Sequence, residues 1–323
     1  MLIYLSLFIF SFVLTYFIKV YATKVSFVDV PNERSSHVVP IPYGGGIAIA
    51  VTWFVGITYL YYFHNMESSL YFAFLVGGII SFVSYFDDLF KLSVKLRLTV
   101  QVLASMIGLY FLGGLDTVDL FFFTVENPIV TNLFAVLMTV WFINLYNFLD
   151  GIDGYAGSEA LFLGLAGFML FHDSYFLVFV ASVLGFLVWN WHKAKIFMGD
   201  VGSTLLGYNV AMFTIYYANH EATNLWIWIT LFGVFWFDAT VTLYKRYKNG
   251  ERLSQAHNKH AYQRLVQSGR THRKVVISAM LVNIVLFGLV YFISNVFVAL
   301  VVAMIFLSFI WRYVQRKKAF ENK

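Results

Sequence analysis

Apolar residues run along this chain in long blocks, separated by short clusters of Gly, Asn, Asp, His, Lys and Arg. Residues 1–18, 51–66, 68–86, 98–115, 127–149, 174–192, 201–220 and 222–237 contain no Asp, Glu, Lys or Arg. A membrane-spanning helix needs about 20 predominantly apolar residues, so each block is a predicted span. Residues 275–311 are long enough for two helices and carry a polar break at Ser294 and Asn295. A weaker run, 160–171, reaches across only with the help of 155–158 or a tilt. The pattern predicts an all-α integral membrane protein of about 10–11 transmembrane helices, folded as a single polytopic domain over residues 1–323. No basic residue precedes the first run and no small-residue cleavage site follows it, so it reads as a retained helix with its amino terminus outside.

Composition agrees: 60% of residues are hydrophobic and 12% charged, against about 25% charged in soluble proteins. Threading the spans from an outside amino terminus puts all 22 Lys and Arg on one side of the membrane. The positive-inside rule makes that side cytoplasmic, with the N-terminus periplasmic and the C-terminus cytoplasmic. The opposite loops carry only acids: Glu67, Asp116, Asp119, Glu126, Asp173 and Glu221. The net charge of +5 is therefore a topology signal and an attraction to anionic lipid, and nucleic acid is not an expected partner. Cysteine is absent, which excludes disulfides, thiolate ligands and a Cys nucleophile.

The predicted cytoplasmic loops hold the chemistry. Asp87 and Asp88 close a span and precede Lys91, Lys95 and Arg97; paired carboxylates at a helix end ligate Mg²⁺ or share a proton, or are merely a solvated helix end. Asn147, Asp150 and Asp153 recur at three-residue spacing, which on a helical extension of the fifth span puts them on one face; Gly151 and Gly154 free the backbone beside them or cap the helix. Residues 190–203 offer Asn190, Lys193, Lys195, the aromatic Phe197 and a Gly-Asp-x-Gly-Ser string around Asp200, with Asp200 a candidate Mg²⁺ ligand and the lysines candidate phosphate contacts or interfacial anchors. His257 and His260, also three apart, suit phosphate contact better than zinc, which needs about four ligands, and Arg264 follows them. Asp238 is either functional or paired with Lys245 or Arg246. Residues 31–46 hold three of the four prolines and end in Gly44-Gly45-Gly46; amides at such a helix start suit an anion, although a glycine-softened turn accounts for them equally.

As an ordered set (Pro-x-Gly-Gly, Asp-Asp, Asn-x-x-Asp-Gly-x-Asp-Gly, Phe-Met-Gly-Asp-x-Gly-Ser and a His motif, over about residues 29–266), these strings resemble the polyprenyl-phosphate N-acetylhexosamine-1-phosphate transferase family (glycosyltransferase family 4) and its bacterial O-antigen-initiating branch. The resemblance implies Asp200 as the Mg²⁺ ligand, with Mn²⁺ an alternative ion, and Asp87 and Asp88 as the pair serving the lipid phosphate. It also implies Lys95, Asn147, Asp150, Asp153, Asn190 and Phe197 at the substrates, Phe197 against the uracil, and His257 and His260 on phosphate. Two departures stand out. The chain has His257-Asn258-Lys259-His260 where other branches have three consecutive His or an Asp-Arg-x-His-x-His string. His37, a substrate-binding candidate, replaces the Lys of the peptidoglycan-precursor branch, which argues against that substrate.

The expected active site thus draws on loops 23–45, 87–97, 147–158, 190–203 and 245–274. The expected reaction joins a UDP-N-acetylhexosamine to undecaprenyl phosphate at the cytoplasmic face of a bacterial inner membrane, as the first step of O-antigen or other surface polysaccharide synthesis; a homodimer is compatible with it. The rival reading is a polytopic transporter or flippase, which would place ligand residues near the midplane. A CDP-alcohol phosphotransferase would need an Asp-Gly-x-x-Ala-Arg motif, which is missing after Asp150-Gly151.

Overall fold

The computed structural model describes residues 1–31, 39–253, 255 and 257–320. Helices fill the expected positions: α1 (Leu2–Lys24), α2 (Gly46–Phe63), α3 (Ser68–Phe90), α4 (Val94–Phe111), α5 (Pro128–Phe148), α6 (Tyr155–Phe171), α7 (Ser174–Asn190) and α8 (Asp200–His220). After them come α9 (Asn224–Leu231), α10 (Gly233–Lys248), α11 (Ala261–Gln267), α12 (His272–Phe292) and α13 (Val296–Lys317). Two short antiparallel ribbons, β1 (Val28–Asp29) with β2 (Ile41–Pro42) and β3 (Val118–Asp119) with β4 (Thr124–Val125), brace loops and do not alter the all-α class.

Among the described residues seven helices, α1 to α5, α12 and α13, are long and apolar enough to cross a bilayer. The ninth expected span is not one rod: α9 and α10 meet at a 74° bend, the geometry of a broken span or a re-entrant loop. The 17-residue helices α6 and α7 extend about 25 Å at 1.5 Å per residue, short of a core about 30 Å thick. Helix α8 is the most polar of the long segments and is nearly all buried, with Asn209 and Thr214 inside; it packs against α2, α3 and α5. Polar residues are tolerated there because neighbouring helices, not lipid, surround them.

Local signals set the helix ends. The Asn127 side chain accepts the Ile129 and Val130 amides at 3.0 and 3.3 Å, with Pro128 in the first turn. Asn295 does the same for α13, which turns the Ser294-Asn295 break into a cap. Aromatic rings join α2, α3, α7 and α8: Trp53 lies 5.0 Å from Phe74 and 5.5 Å from Phe179, and Phe74 lies 4.8 Å from Phe213, centroid to centroid. At one end of this bundle α2 and α8 nearly touch. A Cβ on Gly46 would sit 2.3 Å from the Gly202 nitrogen, so only glycine permits the approach.

Candidate active site

That close approach gathers the acids. Asp87 and Asp88 end α3, Arg97 lies in the first turns of α4, Asn147 ends α5 and Asp200 begins α8. Arg97 Nη1 donates to Asp87 Oδ2 at 2.8 Å and stands 3.9 Å from Asp200 Oδ2; the Leu92 amide donates to the other Asp87 oxygen at 2.7 Å. Asn147 Nδ2 donates to Asp200 Oδ1 (2.8 Å) and Ser203 Oγ (3.1 Å). Tyr43 donates to the Asp88 carbonyl at 2.9 Å; burial, then the charges of Asp88 and Asp200, push its phenol up to about 12. Gly199, at φ +76°, leaves the Asp88 carboxylate room: a Cβ there would lie 3.0 Å from Asp88 Oδ2. That oxygen is buried and has no hydrogen-bond partner among the described residues.

Beside this cluster opens a small pocket of about 30 Å³, lined on its polar side by Ser84, Arg97, Gln101, Asn144, Asn147 and Asp200 and on its apolar side by Ile80, Val83 and Val100. Lys95 is exposed on the first turn of α4, and Arg97, two residues on, is the cation that reaches the acids. Its signal was its place among the basic residues after Asp88.

The Asn147, Asp150, Asp153 series departs from the one-face expectation. Helix α5 stops at Phe148, and Gly154 takes φ +74°, so the three side chains diverge. Asn147 goes to Asp200. Asp150 stays near it, and burial, then the Asp200 charge, pushes its carboxyl up to about 7. Asp153 turns away to two histidines: His192 Nδ1 and His272 Nδ1 each lie 3.2 Å from its Oδ2, and the Ala194 amide donates to the same oxygen at 3.3 Å. Burial alone would raise the Asp153 carboxyl, but His272, the Ala194 amide and His192 together hold it below its ordinary value. Sequence reasoning missed His272, since nothing in the chain's order links the start of α12 to this loop. Asn190 is a brace: its Oδ1 accepts the Gly154 amide (3.0 Å) and its Nδ2 donates to the Ile196 carbonyl (3.0 Å).

The glycine amides expected to meet an anion are already engaged: Gly45 and Gly46 donate to the Phe197 and Met198 carbonyls at 2.9 and 2.8 Å. Phe197, half-buried, is thereby held at the edge of the acidic cluster. His37 lies outside the described residues.

His257 and His260 precede α11 rather than ride on it, with rings 4.8 Å apart. Burial, then His260 and Arg246, pull the His257 imidazole down to about 3, so it is neutral at pH 7. Asp238 is not paired with Lys245 or Arg246. Its two oxygens accept the Ala261 amide (2.8 and 2.9 Å) and its Oδ1 lies 3.6 Å from His260 Nδ1, so an acid on α10 caps the start of α11. Arg246 is buried and gathers its loop, binding Glu251 (3.1 Å) and the carbonyls of Arg252, Leu253 and Gln255. Arg264 faces α13, donating to Gln315 at 2.7 Å and the Lys318 carbonyl at 3.0 Å, not the acids.

A sequence model of glycosyl transferase family 4 matches residues 70–218, the segment that carries every acid of the cluster. The probable undecaprenyl-phosphate N-acetylglucosaminyl 1-phosphate transferase of Bacillus subtilis (strain 168) is 30% identical over 292 residues, covering 84% of this chain and 79% of the relative. The chain belongs to glycosyl transferase family 4. Other relatives of this family-4 transferase are the undecaprenyl-phosphate alpha-N-acetylglucosaminyl 1-phosphate transferase of Escherichia coli (strain K12), 28% identical over 84% of this chain and 78% of its own. The decaprenyl-phosphate N-acetylglucosaminephosphotransferase of Mycobacterium leprae (strain TN) is 28% identical over 85% and 80%. These alignments extend beyond residues 70–218, over most of this multi-pass membrane transferase.

Proposed function

We propose that the chain transfers an N-acetylhexosamine 1-phosphate from a UDP-linked donor to undecaprenyl phosphate, at the cytoplasmic face of a bacterial inner membrane, as the first step of O-antigen or another surface polysaccharide. The observation that carries this reading is the convergence of Asp87, Asp88, Asp200, Asn147 and Arg97 beside one half-polar pocket, in a chain whose relatives bear that activity in their names.

In the reaction, an oxygen of the lipid phosphate attacks the phosphorus that bears the sugar. A new P–O–P linkage forms, the P–O bond to UMP breaks, and UMP leaves with the electron pair. Phosphoryl transfer asks mainly for alignment and charge neutralisation. The attacking phosphate monoester is mostly ionised at pH 7, with a second pKa near ~6, so no strong base is required. Asp87 and Asp88 then serve to position the lipid phosphate, and the Arg97 ion pair fixes Asp87 in one rotamer.

The oxygen-only donor set fits a hard divalent cation, and the buried, unpartnered Asp88 oxygen is an acceptor that such an ion would satisfy. Asp200 and Asp88 would hold it. Bound there, Mg²⁺ (or Mn²⁺ in its place) would neutralise charge on the donor pyrophosphate. Asn147, by donating to Asp200, orients that carboxylate. Asp150 and Asp153 with Phe197 form the donor side, Phe197 offering a face for the base to stack on. Lys95 and the His257–His260 pair supply contacts to phosphate, His257 as a neutral hydrogen-bonding group. Asn190 acts on the donor site through the loop it ties down.

Asp200→Asn protein, assayed with Mg²⁺, UDP-N-acetylglucosamine and undecaprenyl phosphate, is expected to lose at least about 100-fold in UMP release, the scale of removing one group that stabilises developing charge. Unimpaired release would sink the assignment of Asp200.

A further inference from the structure

Asp153, His192 and His272 form a hydrogen-bonded cluster whose donor atoms also have the chemistry of a metal site. Three elements meet at one oxygen: the loop after α5 brings Asp153, the end of α7 brings His192 and the start of α12 brings His272. Both Nδ1 atoms stand 3.2 Å from Asp153 Oδ2. A carboxylate paired with a charged imidazole closes to about 2.7–2.9 Å. Ligands around a tetrahedral ion with bonds of about 2.0–2.1 Å sit about 3.3 Å apart. The observed 3.2 Å lies near the second figure and also within the range of an ordinary N–H···O hydrogen bond, so the cluster holds together without an ion and is close to the spacing an ion needs. The three ligand atoms lie within 4.8 Å of one another, with Asp153 and His272 buried and His192 half-buried.

We propose that Asp153, His192 and His272 form an open binding site for a borderline transition-metal ion, zinc above all, and that zinc bound there blocks the nucleotide donor. Two imidazoles and one carboxylate make the donor set that suits zinc, copper or nickel, in contrast to the oxygen-only cluster around Asp88 and Asp200. Each ring would give its Nδ1 lone pair to the ion, which at His272 means releasing the Asp153 amide that now donates to that atom at 3.4 Å. The Ala194 amide, already donating to Asp153 Oδ2 at 3.3 Å, would support the carboxylate from behind. Three protein ligands leave a fourth position to water, the pattern of an accessible rather than a closed site. The blocking effect, unlike the site itself, rests on the reading of Asp153 as part of the donor site: a carboxylate engaged by zinc is withdrawn from the nucleotide.

The test uses purified full-length protein in saturating Mg²⁺ without nucleotide, titrated with zinc by calorimetry and with Co²⁺ by visible absorption. One zinc per chain and an intense tetrahedral cobalt spectrum are expected. His192→Gln and His272→Gln, which keep a hydrogen-bonding side chain beside Asp153, should each weaken zinc binding at least about tenfold and abolish the cobalt bands. No stoichiometric zinc in the presence of Mg²⁺, a weak octahedral cobalt spectrum in the wild type, or full binding by folded Gln variants would overturn the site. In the activity assay zinc should raise the KM for UDP-N-acetylglucosamine with little change in kcat, and His192→Gln should resist it. A kcat effect at constant KM would overturn the blocking role while leaving the calorimetric result to stand.

Discussion

Asp150 is one of the site carboxyls that burial raises, another being Asp88, pushed up to about 8 by burial and then the Asp200 charge. The Asp150 carboxyl is raised from an ordinary 3.8 to about 7, by burial and then by the Asp200 charge. A raised carboxyl favours the neutral form in the fold, so the stability it contributes is fully present below pH 3.8 and is lost as pH rises through about 7. Asp150→Asn keeps the shape and removes the charge. In divalent-free buffer the variant should melt at least about 2 °C above wild type at pH 8 and within about 1 °C of it near pH 4, read by intrinsic fluorescence; equal shifts at both pH values would contradict the assignment. At this scale the sequence revealed which residues gather but not which touch. The Asn147 to Asp153 spacing was legible as a cluster, although not as one face. That Asn147 meets Asp200 while Asp153 meets His192 and His272 depends on where α5 stops, and on a contact between residues 153 and 272 that no local pattern encodes. Arg97 was visible only as one cation among three.

Helices were the most legible level, because a long apolar block has few alternatives in a bilayer. The expected eleven segments coincide with helices, and Ser294-Asn295 is a real break. Two things were hidden. Residues 222–237 read as one span, but the chain bends 74° between α9 and α10, and uniform hydrophobicity carries no mark of a bend. Asp238, read as functional or paired with a cation, caps α11 across a separation of 23 residues. The tightest helix contact, Gly46 against Gly202, is also the most sensitive. Gly46→Ala puts a Cβ 2.3 Å from backbone, where no side-chain rotation relieves it. Such overpacking costs about 1–3 kcal/mol, and since α8 begins with Asp200 beside this contact, a lower melting temperature should come with loss of transferase activity. Wild-type melting and turnover in that variant would show that the two helices part without cost.

Across the whole molecule the two ends of the bundle differ in kind. One end holds Asp87, Asp88, Asp200, His192, His257, His260 and His272 with the Lys- and Arg-rich loops. The other holds the hairpin of β3 and β4, with Phe122 almost fully exposed at its tip (96%), and neutral or acidic contacts such as Tyr216 with Glu67 (2.7 Å) and Asn219 with the Gly114 carbonyl (2.8 Å). The charge asymmetry predicts that the first end faces the cytoplasm. The chain has no cysteine, so single replacements report position without background. In intact cells an impermeant maleimide should label Phe122→Cys but reach Tyr247→Cys, on the basic end of α10 and 70% exposed, only after lysis. The reverse pattern would invert the topology.

The central claim is that the phosphate travels with the sugar, and the nucleotide released reads this directly. Purified protein incubated with Mg²⁺, undecaprenyl phosphate and each of a panel of UDP-N-acetylhexosamines should release UMP from at least one donor. The lipid should gain the mass of that sugar 1-phosphate less water, by mass spectrometry. Release of UDP with transfer of the sugar alone, or no lipid product from any donor, would contradict the account.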